Sequence, residues 1–134
     1  MNEFYNKDII SIKDFSKDQL EKIFASTDKM IQLDSSQRRE ICKGKTLGYL
    51  FYEPSTRTRL SFDSAMASIG GNSLGISNIS SSSTQKGESL ADTVKIMSIY
   101  SDILVLRHTL DGSSRFASET VSYTHLTLPT ICSV

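Results

Sequence analysis

The chain has 134 residues, enough for one folded domain and too few for a complete two-domain enzyme. Its 15 basic and 15 acidic residues cancel, which excludes a global field drawing in nucleic acid or an anionic membrane. No apolar run approaches a membrane span, the first residues lack a signal peptide's basic and apolar regions, and two cysteines, Cys42 and Cys132, make neither disulfide framework nor zinc site. The expectation is a cytoplasmic globular domain without metal or cofactor, and with neither nucleic acid nor membrane as partner.

Residues 1–15 read as an extended lead-in, with Ile9, Ile10 and Ile12 available to pack. Ser16 caps a predicted helix. Leu20, Ile23, Phe24, Thr27, Met30 and Ile31 recur on one face, with Lys17, Asp18, Glu21, Lys22 and Lys29 largely opposite. The pattern fades near Leu33, and residues 34–45 form a polar connection ending in Lys43-Gly44-Lys45.

Residues 46–52 are β-branched and aromatic enough for a buried strand, which halts at Pro54. A helix follows, with Phe62, Ala65, Met66 and Ile69 at i, i+3, i+4 and i+7. Ser55 stands at the N-cap, with Thr56 and Arg57 in the first turn. Unpaired N–H groups and the positive end of the helix dipole converge there, a ready place for an anion. Ser55 to Arg59 adds three hydroxyls and two arginines, which reads as a phosphate cradle. The plainer reading is a helix cap beside solvated arginines. Against it, arginine in a first turn opposes the dipole, where a merely stable helix favours Asp or Glu.

That helix stops at Gly70-Gly71, and residues 72–76 are a second predicted strand. Residues 77–88 are polar, either a flexible linker or a glycine-hinged loop whose Lys86 and hydroxyls close over an anionic ligand. Leu90, Val94 and Met97 mark the next helix, residues 102–106 the clearest buried strand, and residues 112–119 a last short helix. Strand alternating with helix predicts an α/β fold: a parallel sheet flanked by helices in three layers. Ligands of such sheets bind beyond the carboxyl ends of the strands. Ser55–Arg59 and Arg107-His108 both follow strand ends and belong on one rim, so the balance moves to an oxyanion site.

Phe51-Tyr52-Glu53-Pro54-Ser55-Thr56-Arg57-Thr58-Arg59, with Ser61-Phe62-Asp63, resembles the carbamoyl phosphate signature of the aspartate and ornithine carbamoyltransferases. Phe-Tyr-Glu-Pro before the core, residues 83–93 with Lys86-Gly87-Glu88, Arg107-His108 and the lead-in from Phe4 to Ile12 are similar to the aspartate type. The resemblance runs from residue 4 to about residue 119. It implies a partial carbamoyl phosphate-binding domain over residues 1–119. It further implies that Ser55, Thr56, Arg57, Thr58 and Arg107 bind carbamoyl phosphate. Arg57 would also lie near the leaving oxygen, and Thr58 and Arg107 would reach the carbamoyl carbonyl, making Arg57, Thr58 and Arg107 the catalytic residues. Ser83 and Lys86 match loop residues that enter a neighbouring subunit's site in a homotrimer. The implied reaction is attack of the L-aspartate α-amine on the carbamoyl carbon, giving N-carbamoyl-L-aspartate and phosphate in pyrimidine biosynthesis. No cofactor enters it, and positioning with electrostatic stabilisation carries the catalysis.

The family pattern continues through a His-Pro-Thr-Gln segment into a second domain that binds aspartate; regulatory chains are further partners in the family. His125 is followed by Leu126-Thr127 and is not that histidine. The expectation is a fragment that keeps the carbamoyl phosphate site and is inactive alone. Two alternatives stay open, an ornithine or related carbamoyltransferase and a non-catalytic anion-binding module. Residues 121–130 match a translation of the transposon-end adapter of sequencing libraries, so residues 120–134 are read as a non-native tail. A genuine apolar tail strand competes with that reading, through Tyr123, Leu126 and Leu128. Resequencing the locus should find an open frame continuing through His-Pro-Thr-Gln; a true stop after Val134 overturns the tail reading.

Overall fold

Two strands whose side chains are apolar on both faces build the centre, β1 (Thr46–Phe51) and β3 (Ile103–Arg107). A computed structural model describes residues 3, 4, 7–77, 87–121 and 125–127, the last three by backbone alone. Before β1 come α1 (Lys17–Gln32) and α2 (Ser35–Arg39); after it, in order, come α3 (Thr56–Ser68), β2 (Asn72–Ile76), α4 (Leu90–Tyr100), β3, α5 (Ser113–Thr120) and β4 (His125–Thr127). The sheet order is β2-β1-β3-β4, and every pairing is parallel. Each strand-to-strand passage within the sheet is therefore a helical crossover.

The alternation of side chains along β1 and β3 divides the core into two layers. Leu47, Phe51 and Val105 face α3, where Met66 is buried and Phe62 and Ile69 pack beside it. Leu50, Leu104 and Leu106 face Val94 and Met97 of α4 and Ala117 of α5. Leu50, Val94, Leu104, Val105 and Leu106 have no exposed surface. The three-layer α/β arrangement matches the expectation. The turn out of α3 needs Gly70: its φ is +86°, and a Cβ there would stand 1.7 Å from the Arg39 carbonyl oxygen.

Several local expectations are corrected. The lead-in carries a 3-10 turn at Ile12–Asp14, with the Ser11 hydroxyl accepting from the Lys13 amide at its start. Only Ile10 of its three isoleucines packs against the core, while Ile9 and Ile12 are exposed. Helix α1 forms, with Ser16 and Gln19 in a reciprocal capping box, yet none of its residues is buried. Phe24 and Ile31, on the apolar face of the helical pattern, are 65 % and 69 % exposed. The reason is geometric: α3 covers one face of the sheet and α4 with α5 the other. The polar connection contains α2, capped by the Asp34 carboxylate, which accepts from the Ser36 and Gln37 amides at 2.8 and 2.9 Å. It lacks apolar periodicity, and only its cap could have announced it. The tail contributes the backbone of β4 beside β3.

The lower, amino-terminal ends of β1 and β3 are tied together by Asp102. Its carboxylate accepts from the Thr46 amide at 2.9 Å and from Lys45 Nζ at 2.7 Å, and its own amide donates to the Thr46 carbonyl at 2.8 Å. The Lys45 hydrogen bond, with the Thr46 amide after it, holds the Asp102 carboxyl below its ordinary 3.8. A lowered native pKa contributes stability above the unfolded value that is lost as pH falls through the native one. Asp102→Asn should therefore be less stable than wild type at neutral pH and lose less stability on acidification. Denaturant melts at pH 7 and pH 3 check this, and parallel acid limbs would count against it.

Candidate anion site at the strand ends

At the carboxyl end of the sheet the ladder runs one bond past the last paired residues, Phe51 and Arg107. The Tyr52 amide donates to the Arg107 carbonyl at 2.8 Å. From there the chain passes over Glu53-Pro54 into α3, while Arg107 reaches across from β3. Its Nε donates to Glu53 Oε2 at 2.8 Å, and its Nη1 donates to Ser55 Oγ at 2.7 Å. Nη1 also lies 3.5 Å from Thr58 Oγ1, a distance at which a hydrogen bond is weak. One guanidinium thus joins a strand end to a helix start, using the fixed geometry of its fork.

Ser55 is the N-cap residue, as expected, but its hydroxyl makes no capping bond. That oxygen accepts from Arg107 instead. The Arg59 amide closes the first turn on the Ser55 carbonyl at 3.1 Å, and no acidic residue occupies that turn. The first amides of α3 therefore keep their donor capacity, and no carboxylate offsets the positive end of the dipole. A hollow of about 360 Å³ opens in front of them, lined among others by Tyr52, Glu53, Ser55, Thr56, Arg59 and Ser77. Donors aimed into a concave rim can hold a multivalent oxyanion.

Of the residues singled out in the sequence, Ser55, Thr56, Thr58 and Arg107 gather at this rim. Arg57 lies exposed in the first turn of α3, and among the described residues its guanidinium has no ion-pair partner. Ser83 and Lys86 lie outside the described residues. Glu53 was missed, and Arg59, counted in the Ser55–Arg59 cradle, was given no role of its own. Glu53 is the ion-pair partner of Arg107, with both side chains mostly removed from solvent. Arg59, one turn beyond Ser55, lines the hollow and donates through Nη1 to Ser77 Oγ at 3.1 Å. Its i, i+4 spacing from Ser55 was a usable signal for a shared face; nothing in the sequence pairs Glu53 with a residue 54 positions away.

Behind the rim, the Tyr52 and His108 rings meet with centroids 4.5 Å apart. Burial pushes the Tyr52 hydroxyl above its ordinary range, the Glu88 charge adds to this, and a hydrogen bond with Thr93 opposes it. Burial pushes His108 down, against the pull of Glu53. Among the described residues, no group of three or more His, Cys, Asp or Glu could hold a metal ion, and no helix is long and apolar enough to cross a membrane.

The chain is similar to known proteins in both sequence and fold. The family described as aspartate/ornithine carbamoyltransferase, carbamoyl-P binding domain, matches residues 7–132. The aspartate carbamoyltransferase catalytic subunit of Nitrosopumilus maritimus is 85 % identical over 119 residues, covering 89 % of this chain and 38 % of that protein. The solved catalytic subunit of M. jannaschii aspartate transcarbamoylase superposes with a TM-score of 0.83 at 45 % identity, over 90 % of this chain and 40 % of that one. The Trypanosoma cruzi aspartate transcarbamoylase solved with carbamoyl phosphate gives 0.80 at 31 % identity, over 90 % and 39 %. The chain thus spans about two-fifths of the length of these relatives.

If the Glu53–Arg107 pair is a structural tie as well as part of the rim, Glu53→Ala should lower unfolding free energy by about 1.5–3 kcal/mol, the usual worth of a charged hydrogen bond. Chemical denaturation measures it, and unchanged stability would mean that solvent already screens the pair.

Proposed function

We propose, since this chain belongs to the aspartate/ornithine carbamoyltransferase family through its carbamoyl-P binding domain, that its rim binds the phosphate of carbamoyl phosphate. The proposed reaction of the full-length protein is transfer of the carbamoyl group to the α-amine of L-aspartate, an early step of pyrimidine synthesis. The observation that carries the reading is the convergence of Arg107, Ser55 and Thr58 at the uncompensated amino end of α3. The relatives named aspartate carbamoyltransferase favour aspartate over ornithine as acceptor.

In this reading the first-turn amides of α3 and the hydroxyls of Ser55, Thr56 and Thr58 bind phosphate oxygens, with the Arg107 fork on the same group. Arg57 supplies a second cation near the leaving oxygen from its exposed place in the first turn. Arg107 and Thr58 also face the carbamoyl carbonyl, where negative charge grows as the amine attacks. Because Arg107 is held by Glu53 before any ligand arrives, its donors need little reordering to meet that charge. Ser83 and Lys86 complete the site from a neighbouring subunit of a cytoplasmic homotrimer, and regulatory chains are a further proposed partner. Aspartate is bound by the remaining three-fifths of the full-length protein. Residues 120–134 are proposed to be foreign to the domain; the match of 119 residues to the N. maritimus protein supports this, although the family match runs on to residue 132.

Calorimetric titration of the 134-residue chain with carbamoyl phosphate and with inorganic phosphate tests the site. Arg57→Ala and Arg107→Ala should each weaken phosphate binding by about 1.5–3 kcal/mol; unaltered affinity in both would dismiss the cradle. The same chain, lacking the aspartate-binding part, should show negligible transferase turnover. Turnover comparable to that of a full-length relative would refute the fragment reading.

A further inference from the structure

Arg107 is the last residue of β3 to be paired, opposite Phe51. Beyond it the chain runs into solvent: Thr109, Leu110, Asp111 and Gly112 are exposed, and Gly112 turns the chain with φ +81°. Among the described residues, the ladder pairs Arg107 with β1 alone. His108, half-buried between the two regimes, supplies two further holds. Its ring lies against Tyr52, centroids 4.5 Å apart and planes tilted by 45°. Its Nδ1 accepts from the Leu110 amide at 3.0 Å, closing the first turn of the loop.

Tyr52 is itself well anchored. Its ring packs against the core cluster of Leu50, Val94 and Leu106, and its amide donates to the Arg107 carbonyl. The main chain at Arg107 is thus gripped between the Tyr52 backbone and the ring of the next residue, which rests on Tyr52 as well. A guanidinium at the end of a long side chain magnifies small errors in its Cα position, and binding geometry tolerates little such error. We propose that His108 is a positioning residue for Arg107, holding the strand end from which the guanidinium reaches Glu53 and Ser55. The proposal rests on the anion-site reading above for its functional consequence.

Because Nδ1 is an acceptor here, the imidazole acts in its neutral form with the proton on Nε2. An asparagine at this position can offer Oδ1 to the Leu110 amide, whereas phenylalanine keeps a ring against Tyr52 and loses the acceptor. Three variants therefore separate the two holds: His108→Ala, His108→Asn and His108→Phe.

Inorganic phosphate titrated into the 134-residue chain should bind about 3- to 10-fold more weakly to His108→Ala, the range one hydrogen bond spans. His108→Asn should restore most of that loss, His108→Phe part of it, and His108→Ala should add nothing in an Arg107→Ala background. A ligand-free readout accompanies this, the NMR signal of the Arg107 Nε–H that Glu53 accepts. It should exchange with solvent faster in His108→Ala than in wild type, and slowly again in His108→Asn. Should the alanine variant fail to fold, the asparagine and phenylalanine variants carry the same comparison. An unmoved Nε–H signal in His108→Ala or, in its absence, in His108→Phe overturns the proposal, as does a phosphate effect that persists without Arg107. A wild-type chain that binds no phosphate yet shows the exchange effect overturns the anion-site reading and supports the positioning of Arg107.

Discussion

The guanidinium of Arg107 is the constraint on which the carboxyl end of this domain's sheet depends. It spans the space between the two central strands, donating to Glu53 just past β1 and to Ser55 at the head of α3. A parallel register that sets Phe51 against Arg107 makes this reach possible, because both strand ends then lie at one level. Slipping that register by one residue would turn Arg107 to the opposite face of the sheet. At the other end of the same two strands, Asp102 pins Thr46 and Lys45. The alignment of the rim is thus held from both ends.

Electrostatics at the rim combine a helix and an ion pair. The amino end of α3 has no acidic residue to offset its dipole, and its cap hydroxyl is engaged by a cation rather than by the helix's own amides. That arrangement costs the helix a capping bond, whose loss is typically worth about 1 kcal/mol. It leaves the amides as donors beside a cation, which makes sense where an anion is to be received. Glu53 keeps the Arg107 charge compensated in the half-buried setting, so the cation is neither stranded nor free to wander. Local stability is given up at the rim where anion binding is proposed.

Much of this could be read from residue order alone. The strands at Thr46–Phe51 and Ile103–Arg107 carry near-continuous apolar runs over residues 47–51 and 103–106, the mark of strands buried on both faces. Ser55 announced a helix start, and Pro54 the end of a strand. The capping boxes at Ser16 and Ser89 sit where Ser-x-x-Gln and Ser-x-x-Asp stand in the sequence. Helix α1 was legible as a helix and misleading as a core element. Periodicity reports that a face is apolar and is silent about what covers it, and here Phe24 and Ile31 remain exposed. Helix α2 escaped notice because five residues carry no period.

Residue order by itself determined the strands of the sheet centre, the helices between them and the parallel α/β plan. It also determined the chemistry of the rim, because short-range rules govern these: alternation, helical period, caps, and the hydroxyl-rich start of α3. The tertiary structure decided the pairings across long separations: Arg107 with Glu53 and Ser55, Asp102 with Lys45 and Thr46, His108 with Tyr52. It also set Arg59 among the residues lining the hollow. No local preference encodes such pairs. They exist because packing two apolar strands side by side in one register brings distant residues to the same height on the same edge of the sheet.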